Sequence, residues 1–191
     1  MPRICRLLAA CLSLLALAGC ATVPVGAPPP TLEGIQAIRA AAYTALAVGD
    51  FRLDPAAAPS IDRAVNARSL RLEPPEGGSF AQFLGDCFRK HLTVAGKYST
   101  TSATTIDGWL TANELSAAST TIGRGHVGAR IRVLRGGQVL LEKSFELRGE
   151  WPSAFLGVEA ASAAMTEYTT LYRKLVEQVL LDPEVIRAAA S

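Results

Sequence analysis

The strongest constraint on the fold is a change of apolar period along the chain, from 3.6 residues to 2 and back. Phe80, Phe83, Leu84, Cys87, Phe88 and Leu92 recur at helical spacing. Ser79 and Gln82 precede that stripe as a capping box, and Gly96 follows it as a terminator. Three alternating stretches come next. Ile106, Gly108, Leu110 and Ala112 alternate with Asp107, Trp109, Thr111 and Asn113 over Thr105–Leu115. Val127, Ala129, Ile131 and Val133 alternate with His126, Gly128, Arg130, Arg132 and Leu134. Val139, Leu141, Phe145 and Leu147 alternate with Leu140, Glu142, Ser144, Glu146 and Arg148. Helical spacing then returns from Val158 to Leu181, with Ala161, Met165, Tyr168, Leu171, Tyr172, Leu175, Val176, Val179 and Leu180 on one face. Asp182-Pro183 opens a final short turn, because proline suits a first helical position. This order predicts an α+β domain, a mainly antiparallel sheet of about four strands with two helices packed on one face.

The register of the last hairpin follows from its charges. A two-residue loop at Gly136-Gly137 would set Glu142 opposite Ile131 on the apolar face. A three-residue loop, Arg135 to Gly137 with a glycine bulge, pairs Val133 with Val139, Ile131 with Leu141 and Val127 with Phe145. It also sets Arg130 across from Glu142 and His126 across from Glu146, so this register is expected. Lys143 then points toward the core side and must snorkel at an edge. The N-terminal half is less periodic. Gly34–Ala42 suits a short helix and Tyr43–Phe51 a strand. Arg52–Gly78, with four prolines and two glycines, reads as an irregular crossing with one short strand at Ser69–Leu72.

Residues 1–19 stand apart from this pattern. Arg3 and Arg6 precede an uncharged apolar run, Leu7–Leu17, that is shorter than the roughly 20 residues a membrane span needs. Leu17-Ala18-Gly19-Cys20 resembles the lipobox of bacterial lipoproteins. That resemblance implies cleavage before Cys20 and acylation of this cysteine; an ordinary signal peptide with an A-x-A-type cut is the alternative. Removing 19 of the 191 residues leaves 172, enough for one domain with its own core. Ala21–Thr31, ATVPVGAPPPT, reads as a flexible tether reaching roughly 30 Å at about 3.1 Å per residue. The expected organisation is therefore a signal (1–19), an acylated cysteine with its tether (20–31) and a single α+β domain (32–191).

Arg3 and Arg6 account for the whole formal charge of +2, so the remainder carries 17 basic and 17 acidic side chains. Such a balance provides no general electrostatic reason to bind nucleic acid or an anionic membrane surface. Cys5 and Cys11 leave with the signal and Cys20 is acylated, so Cys87 remains unpaired, as a small apolar residue of its helix.

The chemical inventory is sparse. Only His91 and His126 are available, and no Gly-x-Ser-x-Gly, His-Glu-x-x-His or Cys-x-x-Cys motif is present. Gly123-Arg124-Gly125 is a loop signal with no following helix to hold a phosphate. Glu73/Glu76 and Glu142/Glu146 read as solvated carboxylates, and Arg130, Arg132 and Arg148 as a solvated sheet face. The chain is therefore expected to be non-enzymatic, without catalytic residue, cofactor or metal. Trp109, Trp151 and Phe155 are the candidate partner contacts: either an exposed docking patch, or lids over the core edge and the second sheet face.

Taken in order, the lipobox, the helix ending in Ala95-Gly96, Ile106-x-Gly108-x-Leu110, the basic strand, the Gly-Gly turn, the strand closing at Trp151 and the helix ending near Leu181-Asp182 resemble the small outer-membrane lipoproteins of the YajG type. More distantly they are similar to the auxiliary lipoproteins of ABC-type lipid transport systems. The resemblance spans Val48–Ala188. It implies a periplasm-facing outer-membrane protein held by the lipid on Cys20, with Ala21 favouring that destination. The anchor, the spacer and the empty catalytic inventory together lead to the expectation of a binding or assembly module with an envelope protein as partner. The second family implies an acyl chain or a transporter component as ligand. No functional residue beyond Cys20 carries over.

Overall fold

The computed structural model describes residues 21–67, 70–75, 78–116, 121–153 and 158–190. The elements run β1 (Ala21–Pro24), α1 (Leu32–Ala40), β2 (Ala47–Leu53), a 3₁₀ turn (Pro59–Asp62), β3 (Val65–Ala67), β4 (Leu70–Glu73), α2 (Phe80–Ala95), β5 (Thr104–Ser116), β6 (Ile122–Arg135), β7 (Gln138–Pro152), α3 (Val158–Leu180) and α4 (Pro183–Ala190). The main sheet has the order β2-β5-β6-β7, with β2 parallel to β5 and the other pairs antiparallel. Helices α2 and α3 pack on one face of it, as the apolar periods predict.

Helix α2 begins where its caps dictate. Ser79 Oγ accepts the Gln82 N–H at 3.1 Å and Gln82 Oε1 accepts the Ser79 N–H at 3.2 Å. It ends at Gly96, whose φ of 71° is the left-handed conformation glycine adopts without a Cβ penalty. Helix α4 is longer than the short turn expected. Asp182 Oδ1 accepts the N–H groups of Glu184 and Val185, which caps eight residues that pack on β6 and β7.

The core is aromatic where the helices meet the sheet. Phe80, Phe83, Tyr168 and Tyr172 form a cluster with centroids 4.9–6.4 Å apart, all four at most 1% exposed. Cys87 lies buried in the same stripe, and burial pushes its thiol pKa up, so it packs as an apolar residue.

Three further features depart from expectation. The β6–β7 turn has two residues, Gly136 and Gly137, with φ of 54° and 86°, the pattern of a hairpin turn that matches strand twist. Leu140 is then extra, because Leu134 pairs with Val139 and Val133 with Leu141. Every following pair is shifted by two from the expected register: Ile131 faces Lys143, Ala129 faces Phe145, Val127 faces Leu147 and His126 faces Arg148. The faces survive, since a shift of two preserves the pleat. The bulge thus keeps Glu142 off the apolar face without a longer loop. Lys143 does sit on the inner side, and its Nζ reaches Asp182 at 2.8 Å and Glu184 at 3.2 Å.

A second bulge, between Leu110 and Ala112, turns Asn113 inward instead of outward. Asn113 is 2% exposed and bonded through both ends of its amide: its Oδ1 accepts the Tyr168 hydroxyl at 2.7 Å and its Nδ2 donates to the Ile61 carbonyl at 2.7 Å.

The third departure is at the N-terminal side. Ala21–Thr31 does not run free as a spacer. β1 pairs in parallel with β4, and β4 in turn with β3, forming a small second sheet of order β1-β4-β3. Val25 is 2% exposed and donates its N–H to the Glu73 carbonyl, while Lys90 Nζ bonds the Ala27 carbonyl. Alternating Val23 and Val25 supply the apolar side that composition alone concealed among the prolines.

Candidate functional site

The outer face of the main sheet gathers the polar residues of β5, β6 and β7. Trp109 lies at its centre, half-buried, with the guanidinium carbons of Arg130 and Arg132 at 4.4 and 4.5 Å from its ring centroid. Arg132 makes two 2.8 Å bonds to the two oxygens of Asp107, and these hold its guanidinium protonated. Arg130 bonds Asp54 at 2.7 Å and reaches Glu142 at 3.5 Å. Farther along, Arg124 bonds Glu150 at 2.6 Å and Arg148 bonds Glu146 at 3.3 Å. His126 lies 3.4 Å from Glu146 and 3.9 Å from Glu114.

Each arginine named on this face thus has its own carboxylate. The exposed pairs of Arg124 and Arg148 contribute only about 0–1 kcal/mol each, whereas those of Arg130 and Arg132 are partly buried; together they cancel the charge a free anion would need. What remains is a neutral, hydrogen-bonding surface with an indole clamped in a fixed orientation. That suits a protein partner better than a phosphate or a nucleic acid.

The three candidate aromatics do not form one patch. Trp109 pairs with Arg130 on the outer face. Trp151 is 6% exposed and lies on the inner face, over Gly123 and beside Leu171 and Gly125. A Cβ on Gly123 would fall 2.4 Å from the indole Nε1, and one on Gly125 would fall 2.4 Å from Leu171 Cδ1. The two glycines therefore make room for this lid. Phe155 and Cys20 lie outside the described residues.

The histidines are equally distinct. His91, on α2, is fully buried, and its Nδ1 donates to the Cys87 carbonyl at 2.8 Å. Its Nε2 lacks a hydrogen bond and faces Glu177 of α3 at 3.9 Å. Glu177 in turn accepts from the N–H and hydroxyl of Thr31, the residue that caps α1. This was not legible in advance, because helical spacing places His91 near the stripe but says nothing of Glu177. The pair resembles a general-base dyad, yet its imidazole is sealed from solvent while Glu177 is partly exposed, and the nearby Cys87 is held as a neutral thiol. No group of three or more metal-ligating side chains occurs among the described residues.

Burial holds the His91 pKa below its ordinary value, aided by Arg173 and Lys90 and opposed by the Cys87 carbonyl and Glu177. The folded state then binds fewer protons than the unfolded chain. Stability at this position is present above the unfolded pKa of about 6.5 and is lost as pH falls below it. The melting temperature is expected to fall between pH 7.5 and 5, with a shallower slope in His91→Gln. Equal slopes in the two proteins would sink this assignment.

No protein-family model matches the chain, and no curated protein matches it. Among solved structures, a Xanthomonas campestris protein of the family DUF330 is similar at 15% identity and a TM-score of 0.55, over 84% of this chain and 95% of that one. A minor lipoprotein from Acinetobacter baumannii is similar at 10% identity and 0.46, over 76% and 93%. A protein described as a lipoprotein from Caulobacter crescentus is similar at 13% identity and 0.44, over 56% and 85%. The first of these shows a shared fold. No helix among the described residues is long and apolar enough to cross a membrane.

Proposed function

We propose that this chain is a lipid-anchored, non-enzymatic binding or assembly module of the bacterial envelope. Acyl chains on Cys20 hold it at the periplasmic face of the outer membrane, and the outer sheet face around Trp109 receives a protein partner. The observation that carries the anchor is the sequence Leu17-Ala18-Gly19-Cys20, which follows two arginines and an uncharged apolar run too short to span a membrane. Each buried CH₂ of an acyl chain contributes about 0.8 kcal/mol, so several chains give firm attachment. The binding role is supported by the neutral outer face, whose central indole is held by two arginines, and by an inner face already consumed by packing.

An acyl chain as internal ligand is less well supported. The aromatic cluster fills the space between α2, α3 and the sheet, and a lipid tail there would have to displace it.

Metabolic labelling with an alkyne fatty acid, followed by membrane fractionation, tests the anchor. Wild type is expected to carry label and sediment with outer membranes; Cys20→Ser is expected to lose both. Label retained by Cys20→Ser would sink the anchor. Photocrosslinking from position 109 tests the partner: discrete bands that depend on Cys20 are expected, and no band in anchored protein would sink the docking face.

A further inference from the structure

The small sheet orders its side chains in two rows. Val23, Leu72 and Val65 are register partners and form the row turned to the core, with Leu72 fully buried and Val65 5% exposed. Thr22, Arg71 and Asn66 are the neighbouring register partners, and all three are exposed. Arg71 carries a single described carboxylate contact, to Glu73 at 2.7 Å.

Thr22 of this exposed row follows Cys20 by two residues along the chain. Two residues of extended chain separate Cys20 from Thr22, which is about 7 Å at 3.3 Å per residue. The headgroup layer on each side of a bilayer is about 5–8 Å thick, the difference between the hydrocarbon core and the full membrane. A diacylglyceryl group on the Cys20 sulfur places its glycerol at that layer. No slack remains between anchor and fold, because β1 is paired from Ala21 onward and Val25, Ala27 and Thr31 are each bonded to the body of the domain.

We propose that the row Thr22–Arg71–Asn66 is a membrane-contact edge, seated among lipid headgroups, so that β1 is a strap and not a spacer. The inference rests on acylation of Cys20. A strapped anchor holds the domain against the bilayer in one orientation, whereas a free tether would let it turn. Short hydrogen-bonding side chains beside the Arg71–Glu73 pair present donors, acceptors and both signs of charge, which suits the mixed phosphate and ammonium layer of phospholipid headgroups.

The test uses the full lipidated protein in vesicles of phosphatidylethanolamine and phosphatidylglycerol, with a fluorophore on Asn66→Cys. Cys87 is buried and Cys20 acylated, so the new thiol is the labelling site. A reference label sits on Gln138→Cys, at the β6–β7 turn. A second variant inserts about ten Gly/Ser residues between Cys20 and Ala21, adding a coil of roughly 18 Å. Quenching by headgroup-spin-labelled lipid is expected to be several-fold stronger at position 66 than at 138, and to fall several-fold with the insert. Equal weak quenching at both positions in vesicle-bound protein would overturn the contact edge while leaving the anchor intact. Strong quenching at 66 that ignores the insert would overturn the strap. Protein that never binds the vesicles would instead overturn acylation at Cys20.

Discussion

Truncating Trp151 to alanine is expected to cost about 3–5 kcal/mol, the range for removing a large buried aromatic side chain. In a domain of this size that lowers the melting temperature by on the order of 10 °C. The indole is 6% exposed, and the two glycines beneath it on β6 leave a slot only a ring-free backbone can provide. Deleting it leaves Gly123, Gly125 and Leu171 lining a void that a strand ladder cannot collapse to fill. Chemical denaturation of wild type and Trp151→Ala measures the difference. A loss below about 1 kcal/mol, together with weakened crosslinking from position 109, would mean that Trp151 serves a partner after all. Gly123→Ala acts on the same contact from the other side, because its Cβ would fall 2.4 Å from Nε1.

That Trp151 faces inward was available from the alternation itself. Phe145, Leu147, Gly149 and Trp151 share one parity along β7, which runs to Pro152. The strand was expected to close at Trp151, but its alternation was followed only as far as Arg148. Pairing with β6 carries the parity on, because Gly123, Gly125 and Val127 extend the same inner face. Trp109 was placed outward correctly, for the same alternation holds until the bulge at Leu110/Ala112.

Helices and long strands were legible because their periods repeat many times and each repeat confirms the last. Bulges were not. One inserted residue reverses the parity of Asn113 and moves every β6–β7 pair beyond Leu140, yet no residue type marks either point. The small sheet was hidden for another reason. β1 has four residues and β3 three, too few to show a period, and β4, though it follows β3 closely, lies far from β1 in sequence. The site was half legible. Single residues such as Trp109 and Arg130 could be assigned to a face, but the carboxylate that neutralises Arg130, Asp54, arrives from the end of β2 and depends on tertiary packing.

Gly108→Val carries the other large expected effect, a loss of about 3 kcal/mol or more, from the middle of the main sheet. A Cβ at Gly108 would sit 2.4 Å from the Arg130 carbonyl oxygen and 3.2 Å from Ile131 Cδ1. The first of these atoms belongs to the backbone of β6, so relief requires the two central strands to part rather than a side chain to rotate. Parting them would strain the ladder on both sides, since β5 is flanked by β2 and β6. It would also disturb Trp109, the next residue, and with it the Arg130–Trp109–Arg132 arrangement on the outer face. Stability and crosslinking from position 109 are therefore expected to fall together in Gly108→Val, whereas Trp151→Ala should lose stability and, below its melting temperature, keep the crosslink. Denaturation midpoints with crosslink yields for both variants separate the two faces of the sheet: if Trp151→Ala abolished the crosslink while still folded, the inner and outer faces would not be independent, and the outer face would lose its standing as a self-contained docking surface.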